Sequence, residues 1–534
     1  MYDLVFRNGR VVDGTGAPSF RGDVAVEGDQ IARVGDLTGA GARRTLDLAG
    51  AVIAPGFIDL HTHADFTLPL FPRADAMVRQ GVTTLVGGNC GFSPFPVRSD
   101  RLDLLRSYSG FLDAGLAWEW DSAAGFANHL ETLPLACNVA LQVGHGAVRI
   151  AVMGFDDRAP SASELEQMER LVADALEAGA NALSTGLIYV PGSYSRTDEI
   201  VALARVAARY GGFYSSHIRG EGDSLITAVE EALTIGREAS LPVQLSHHKA
   251  LGRPYWGRVE ASLAMIDQAR ASGQDVLADQ YPYTAGSTTL AAIVPRWAME
   301  GGISGLQRRL ADPAARARIR AAIAPDAAET QALREREFDP EGIMISAVPE
   351  GPNKQYEGLM LPDIAARRGE EPVDSALHLL AAERGAVQMI AFGLAEADVR
   401  RVMRHPAAAV ASDGWTLHPS AGGKPHPRSY GTYVRVLGHY VREEGVLALE
   451  EAVRKMTSLP AQRLGREDLG VIRAGGRADL VVFDPDRVAD RATYHDPHQF
   501  AAGVGHVIVN GQVVIDEGED TGVPAGRVLR RCSD

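Results

Sequence analysis

The chain has 534 residues, which is long enough for one large domain with a smaller one attached. Its 53 Lys and Arg residues are outnumbered by 68 Asp and Glu residues, and the resulting net charge of −15 disfavours nucleic-acid binding. The three cysteines, Cys90, Cys137 and Cys532, are too few and too widely spaced for a disulfide framework. No apolar stretch approaches the roughly 20 residues that cross a bilayer, and the N-terminus lacks a signal-peptide pattern. We therefore expect a cytoplasmic protein that binds neither membranes nor nucleic acid.

Both ends of the chain have the pattern of short strands joined by tight turns. Asn8-Gly9 near the start and Asn510-Gly511 near the end each lie between two apolar runs, as in β-hairpins. Neither end is large enough to bury a core alone. We therefore predict that residues 1–54 and 466–534 combine into one small β-sandwich domain.

Between these ends, apolar strands alternate with helical segments. The eight strand candidates are 56–61, 82–87, 139–143, 181–185, 213–217, 243–247, 276–280 and 408–411. One helix is predicted from Glu164 to Glu177, with Ser163 and Glu166 as its capping box. Eight strand-then-helix units in one segment are what a parallel (β/α)8 barrel of the TIM type requires. This α/β barrel is assigned to residues 55–465.

The barrel spacing is interrupted once, late in the chain. Residues 284–386 are rich in Ala, Arg and Pro and are predicted to be an insertion. Insertions between barrel strands commonly form lids or substrate pockets. The strand candidate Val387–Phe392 that follows has no assigned place in the barrel.

Metal-binding and acid–base side chains lie at the ends of several apolar strands. His61 and His63 follow the first strand. Because they are two residues apart, both imidazoles point to the same side of the strand. Later strand ends carry Cys90, His217, His247 and Asp413. Because the carboxyl ends of barrel strands converge, these six residues are expected to meet. Five nitrogen or sulfur ligands and one carboxylate suit zinc.

Each of these residues also has an ordinary structural interpretation. Taken singly, each is compatible with a polar strand end, and Cys90 with a small buried apolar residue. The glycines beside Cys90 indicate a tight turn that exposes its thiol. His248 points away from His247 if the strand continues, so we expect it to be structural. His145, at another strand end, is a candidate for supporting the ligands from behind, and His426 is expected to shape the pocket or contact a neighbour.

Longer stretches around these residues match a known family. They are Pro55-Gly56-Phe57-Ile58-Asp59-Leu60-His61-Thr62-His63, Gly88-Asn89-Cys90-Gly91-Phe92-Ser93-Pro94, Ser216-His217-Ile218-Arg219, Ser246-His247-His248-Lys249 and Ser412-Asp413-Gly414. With them the chain resembles the amidohydrolase superfamily and, within it, the N-acyl-D-amino-acid deacylases, or D-aminoacylases. The resemblance spans nearly the whole chain, and the cysteine in its Gly-Asn-Cys-Gly setting is specific to this branch.

The resemblance implies a set of metal ligands. One tight Zn²⁺ would be held by Cys90, His217 and His247, and a second, weaker or optional ion by His61 and His63. Many relatives in the superfamily bridge two metals with a carboxylated lysine. No lysine stands at the end of the 181–185 strand, and Cys90 takes its place.

The resemblance also implies substrate-binding residues and a reaction. Lys249 and Tyr189 would hold the substrate carboxylate and orient the scissile carbonyl, with Tyr283 and Arg219 as weaker candidates. The reaction would be zinc-dependent hydrolysis of the amide bond of a small N-acyl-D-amino acid. Zinc-bound hydroxide would attack, and Asp413 would act as general acid and base.

Two other functions remain open from the sequence. One is a cyclic-amide hydrolase of the same superfamily, such as a dihydroorotase or hydantoinase, and the other is a catalytically dead scaffold on the same barrel. The side chain of the substrate is also open. An apolar one is the default, while Arg296 in the insertion would favour an acidic one if it faced the pocket. The oligomeric state cannot be read from the sequence.

Overall fold

The structure is a computed structural model that describes residues 1–113, 115–323, 339–349 and 351–531. Eight parallel strand positions form a barrel. In chain order they are Phe57–Asp59, Val82–Gly87, Asn138–Leu141 continued by Val143–Gly144, Ala182–Gly186, Phe213–His217, Val243–Leu245, Val276–Gln280 and Ala408–Val410. The first and eighth positions meet where Thr62 pairs with Gly414 in parallel. The predicted TIM-type barrel is confirmed.

Helices surround the barrel and connect its strands. The α-helices of the described residues are Asp75–Val78, Leu102–Ser109, Ala123–Glu131, His145–Met153, Ala162–Glu177, Thr197–Arg209, Leu225–Ala239, Val259–Ala271, Gly302–Ala311, Pro313–Ile323, Leu361–Arg368, Pro372–Ala382, Glu396–Arg404, Arg428–Arg435, Leu449–Met456 and Ser458–Arg463. A π-helix, Val436–Glu443, continues one of them. Among the described helices, none is long and apolar enough to cross a membrane.

The helix Ala162–Glu177 shows how local sequence sets an element. Ser161 accepts a hydrogen bond from the Glu164 N–H, and the Glu164 carboxylate accepts one from the Ser161 N–H, which completes a capping box. The predicted box of Ser163 and Glu166 was therefore placed two residues too late. The helix packs through Met168 and Val172, among other buried residues spaced by three or four positions.

The two ends of the chain pair in one nine-stranded mixed sheet. Its strands are Tyr2–Val11, Phe20–Glu27, Gln30–Gly35, Ala42–Asp47, Val52–Pro55, Leu480–Phe483, Val504–Val509, Gln512–Asp516 and Glu519–Asp520. The N-terminal strand Val52–Pro55 runs antiparallel to Leu480–Phe483, which joins the ends. Asn510-Gly511 forms the predicted hairpin turn. Asn8-Gly9 instead forms a bulge within one long strand, because the pairing with the next strand resumes beyond it.

The insertion forms a small layer of its own beside the barrel. Its three antiparallel strands are Ala285–Thr289, Ile343–Ala347 and Gln388–Phe392, the last lying just after the predicted end of the insertion. Its helices pack on this sheet around a separate apolar core. Residues 324–338 and 350 of the insertion, and 532–534 at the C-terminus, lie outside the described residues. The domain boundaries themselves remain a prediction.

A buried polar network joins the barrel to the small β domain. Asp479 accepts hydrogen bonds from the Asn510 N–H at 2.6 Å and from the Asn138 amide at 2.9 Å. Asn510 in turn donates to the Asn138 side-chain oxygen at 2.7 Å. Burial raises the pKa of Asp479 to about 6, although the Asn510 N–H and Arg477 oppose the rise.

This pKa predicts a pH-dependent stability. Because the folded pKa lies above the ordinary value of 3.8, folding favours protonated Asp479. The stabilising contribution is complete below about pH 4 and is lost as pH rises through about 6. The unfolding free energy of the wild type relative to Asp479→Asn should fall by about 3 kcal/mol over that range, measured by denaturant titration at several pH values. A difference that does not vary with pH would contradict this assignment.

Candidate active site

A chamber of about 40 Å³ lies at the carboxyl ends of the barrel strands. Its wall contains seven of the ten predicted site residues, namely His63, Cys90, Tyr189, His217, His247, Lys249 and Asp413. His61 lies behind this wall and is fully buried. The structure thus brings together eight residues that are up to 352 positions apart in the sequence, from His61 to Asp413.

The candidate ligands form one continuous cluster. The Cys90 Sγ lies 3.2 Å from Nε2 of His61 and 3.5 Å from Nε2 of His247. Nε2 of His63 lies 3.3 Å from Oδ1 of Asp413. Three overlapping groups have ligand atoms close enough for a metal ion. They are His61 with Cys90 and His247, His61 with His63 and Asp413, and His217 with Glu221 and His247.

The predicted tight set of Cys90, His217 and His247 is spread over two of these groups. His247 is the shared member, since its Nε2 faces Cys90 while its ring lies 4.3 Å from the ring of His217, measured between centroids. Glu221 completes the group that contains His217. The ligand roles of these residues therefore remain a proposal.

Three of the site residues have left-handed backbone conformations. The φ angles are 54° at Cys90, 35° at His247 and 52° at Asp413. Each residue follows the end of a barrel strand by two or three positions. A non-glycine residue in this region costs about 1–3 kcal/mol, so it persists only where its surroundings fix it. Here the turn of the backbone directs each side chain towards the shared chamber.

The buried imidazoles are suited to a metal ion. Burial lowers the pKa of His217 and His247 well below the usual value, so both rings stay neutral and offer a lone pair. Neither ring nitrogen of His217 has a hydrogen-bond partner, and both are buried. Such unsatisfied groups are costly, and a metal ion would satisfy one of them. With the Cys90 thiol they provide the soft donor set that zinc prefers.

Asp413 is held in its ionised form. Burial opposes ionisation, but Arg428 and His61 hold the pKa of Asp413 well below its usual value. Nη1 of Arg428 lies 2.8 Å from Oδ2 of the carboxylate. An ionised carboxylate beside the candidate ligands can accept a proton.

Three further residues support the site and were missed in the sequence. Asp279 lies 3.2 Å from Nδ1 of His61, and Glu221 lies 3.0 Å from Nδ1 of His247. Carboxylates in these positions fix the orientation of metal-binding imidazoles. The signals were weak: Asp279 is a charged residue inside an apolar strand, and Glu221 follows His217 by four positions. For Arg428 no sequence signal pointed to the chamber.

Two predicted substrate residues lie outside the chamber. The Tyr283 hydroxyl donates to the main-chain oxygen of Pro427, and its ring packs on His426. Tyr281, two residues earlier, lines the chamber instead. Arg219 is engaged elsewhere, since its guanidinium donates to Glu231.

A second cavity, of about 340 Å³, adjoins the chamber. The two share Phe92, Phe111, Ile188 and Tyr189 in their walls. The insertion supplies much of the remaining wall, including Val294 and Arg296. Arg296 is exposed at the cavity edge, with its guanidinium 5.7 Å from the centre of the Tyr194 ring.

The chain is similar in sequence and in structure to known proteins. The sequence profile of the amidohydrolase family matches residues 44–515. The chain belongs to the amidohydrolase family. It is 40% identical to an N-acyl-D-glutamate deacylase of Alcaligenes xylosoxydans xylosoxydans, over 99% of this chain and 96% of that protein.

Solved structures support the same family assignment. An N-acyl-D-glutamate deacylase from Bordetella bronchiseptica, complexed with zinc and a phosphonate mimic of the tetrahedral intermediate, has a TM-score of 0.83. It is 37% identical over 99% of both chains. A second similar structure is that of a D-aminoacylase with a binuclear metal centre, which is activated by one metal and attenuated by the second. Its TM-score is 0.83, and it is 38% identical over 99% of this chain and 100% of that one. An L-hydantoinase from Arthrobacter aurescens shares the fold alone. Its TM-score is 0.55, and it is 16% identical over 99% of this chain and 100% of that one.

Two buried cysteines, Cys90 and Cys137, allow a test of the metal site. Cys90→Ala should lower the zinc content of the purified protein well below that of the wild type, because it removes the one thiol that the described residues place in the chamber wall. Cys137→Ala is the matched control, since this thiol is also buried but lies just before the third barrel strand, at its amino end. Elemental analysis of both variants measures the effect. Equal zinc content in the two variants would refute ligation by Cys90.

Proposed function

We propose that this amidohydrolase cleaves the amide bond of N-acyl-D-amino acids, releasing a carboxylate and a free D-amino acid. The observation that carries the proposal is the placement of a thiol and neutral imidazoles beside the ionised Asp413 in one chamber. The two similar proteins named as deacylases of N-acyl-D-glutamate, and the D-aminoacylase, support the same substrate class.

The metal would be zinc. Cys90, His217 and His247 would hold one ion tightly, and His61 with His63 would hold a second ion more weakly. When bound, zinc supplies Lewis acidity, which lowers the pKa of water towards about 7 and polarises the acyl carbonyl. The Cys90 sulfur must remain reduced for this role, so a reducing compartment such as the cytoplasm forms part of the proposal.

Asp413 would move the proton. Its carboxylate accepts a proton from the attacking water and later donates it to the departing nitrogen, which leaves poorly unless it is protonated. Arg428 keeps the carboxylate ionised before attack, because its guanidinium lies 2.8 Å away. His63, 3.3 Å from the other carboxylate oxygen, fixes the orientation of Asp413.

The cations of the chamber wall would bind the α-carboxylate of the substrate. Lys249 and Arg428 both lie over the ring of Tyr281, at 5.6 Å and 5.0 Å from its centre. Tyr189 also lines the chamber and would orient the scissile carbonyl. Carboxylate, carbonyl and side chain then give three fixed points, which is what discrimination between enantiomers requires.

The size of the chamber limits what it can contain. The chamber, at about 40 Å³, is much smaller than the adjoining cavity of about 340 Å³, so larger substituents would extend into that cavity. The wall there is mainly apolar, with Arg296 at its edge. An apolar substituent, alone or ending in an acidic group near Arg296, fits this wall.

The proposal is tested with a panel of substrates. Zinc-loaded protein should hydrolyse N-acetyl-D-amino acids and leave the L-enantiomers, hydantoins and dihydroorotate unchanged. The panel should include D-leucine, D-methionine, D-glutamate and D-aspartate derivatives. Turnover of a cyclic amide in preference to all linear ones would favour the hydantoinase-like function. Loss of all turnover with zinc bound would favour a scaffold.

The same assay tests the proton carrier. Asp413→Asn should lower kcat by about 10²–10⁴-fold while zinc content stays unchanged, because the amide cannot accept the proton. Asp275→Asn is the control, since this exposed aspartate precedes a barrel strand at its amino end and pairs with Arg463. Turnover of Asp413→Asn close to that of the control would remove Asp413 from the mechanism.

A further inference from the structure

Three acceptors in the chamber wall engage the side chain of Lys249. Its Nζ donates to Oε1 of Glu221 at 2.5 Å, to Nδ1 of His247 at 2.9 Å and to the main-chain oxygen of His247 at 2.9 Å. A lysine ammonium group has three N–H donors. When Nδ1 of His247 accepts, all three are used within the protein, and none is left for a substrate carboxylate.

Nδ1 of His247 lies between a donor and an acceptor, since Nζ of Lys249 is 2.9 Å away and Oε1 of Glu221 is 3.0 Å away. Because an ammonium nitrogen only donates, the hydrogen bond from Lys249 forms only when Nδ1 accepts, which is the tautomer with the proton on Nε2. Nε2 is the nitrogen that faces the Cys90 Sγ at 3.5 Å. A protonated ring nitrogen cannot bind a metal. Ligation through Nε2 thus requires the other tautomer, with the proton on Nδ1.

Glu221 is placed to accept that proton. Its Oε1 lies 3.0 Å from Nδ1 of His247, and the residue is only 3% exposed. The same oxygen accepts from Lys249 and lies 3.9 Å from Nε2 of His217. With the proton on Nδ1, His247 donates to Glu221 and no longer accepts from Lys249. One N–H of Lys249 is then released into the chamber.

We propose that Glu221 couples metal binding at His247 to carboxylate binding at Lys249. It is a positioning residue, because it acts through these two side chains. Ligation of His247 shifts its proton to the side of Glu221, and the same shift frees a donor of Lys249 for the substrate. The inference rests on the proposed function in taking His247 as a metal ligand and Lys249 as the carboxylate partner.

The coupling predicts opposite effects on the zinc Kd when Glu221 and Lys249, the two residues that contact Nδ1 of His247, are replaced. Glu221→Gln removes the anionic acceptor that favours the ligating tautomer, so the zinc Kd should rise about 10–100-fold. Lys249→Met removes the donor that competes for Nδ1, together with a nearby cation, so the zinc Kd should fall. About fivefold is expected, the effect of one net hydrogen bond. A purely structural role of either residue would weaken zinc binding in both variants.

The experiment measures zinc Kd by competition with a chromophoric chelator on the full-length protein. Glu231→Gln is the control, because this glutamate also carries an ion pair, with Arg219, but outside the chamber wall. Its zinc Kd should equal that of the wild type. An unchanged Kd in Glu221→Gln, or a shift in the same direction in both test variants, would overturn the proposal. Should Glu221→Gln fail to fold, Lys249→Met decides alone, with unchanged or weaker zinc binding as the contradicting result.

A second arm tests the link to the carboxylate. Free D-methionine, used as the probe, should lower the zinc Kd of the wild type, because coupling between two sites is reciprocal. This lowering of the zinc Kd by D-methionine should disappear in Lys249→Met. If it persists in that variant, it comes from direct contact between the probe and zinc, and the coupling is overturned. The two proposals can fail separately. If Glu221→Gln and Lys249→Met shift the zinc Kd in opposite directions but the protein hydrolyses no N-acyl-D-amino acid, the proposed substrate is refuted while the effect of Glu221 on zinc binding stands.

Discussion

The active site depends on the main-chain hydrogen bonds that close the barrel between its first and eighth strands. The Asp413 N–H donates to the His61 oxygen at 2.8 Å, and the His63 N–H donates to the Gly414 oxygen at 2.9 Å. These two bonds set the candidate proton carrier directly beside the histidine pair. A slip of one residue in this register would turn the side chains to the opposite face. The chemistry of the site is thus fixed by the same contacts that complete the fold.

Two ion pairs line the chamber, and each holds an acid and a base in their charged forms. Arg428 stabilises ionised Asp413, and Glu221 stabilises charged Lys249. A single buried charge would be costly to leave unpaired, so each group depends on its partner for its charge state. The cation of each pair also lines the chamber. In the proposed function, a substrate carboxylate bound by these cations would change the charge environment of Asp413 and Glu221.

Much of the site could be predicted from the sequence because it follows the regular part of the fold. Barrel strands end at one face, so polar residues at the ends of apolar strands, such as Cys90 and His247, could be expected to meet. The family resemblance added the proposed roles of Lys249 and Asp413, which spacing alone could not supply. The Asn510-Gly511 hairpin was likewise predictable, since its turn type depends on two adjacent residues.

The remaining features depend on long-range packing that local patterns do not encode. Arg428 reaches Asp413 from a helix that begins after a loop, and the register of that loop has no sequence periodicity. Tyr281 and Tyr283 are two residues apart after a barrel strand, yet Tyr281 lines the chamber while Tyr283 packs on His426 outside it. Asn8-Gly9 has a hairpin sequence, yet the neighbouring strand pairs on both sides of it and makes it a bulge.

The central claim is that a zinc ion is bound in the chamber with the sulfur of Cys90 among its ligands. X-ray absorption spectroscopy at the zinc edge of the purified protein measures this directly. The predicted first shell contains one sulfur at about 2.3 Å together with nitrogen or oxygen ligands at about 2.0 Å. A shell of nitrogen and oxygen alone, with zinc fully bound, would contradict the account.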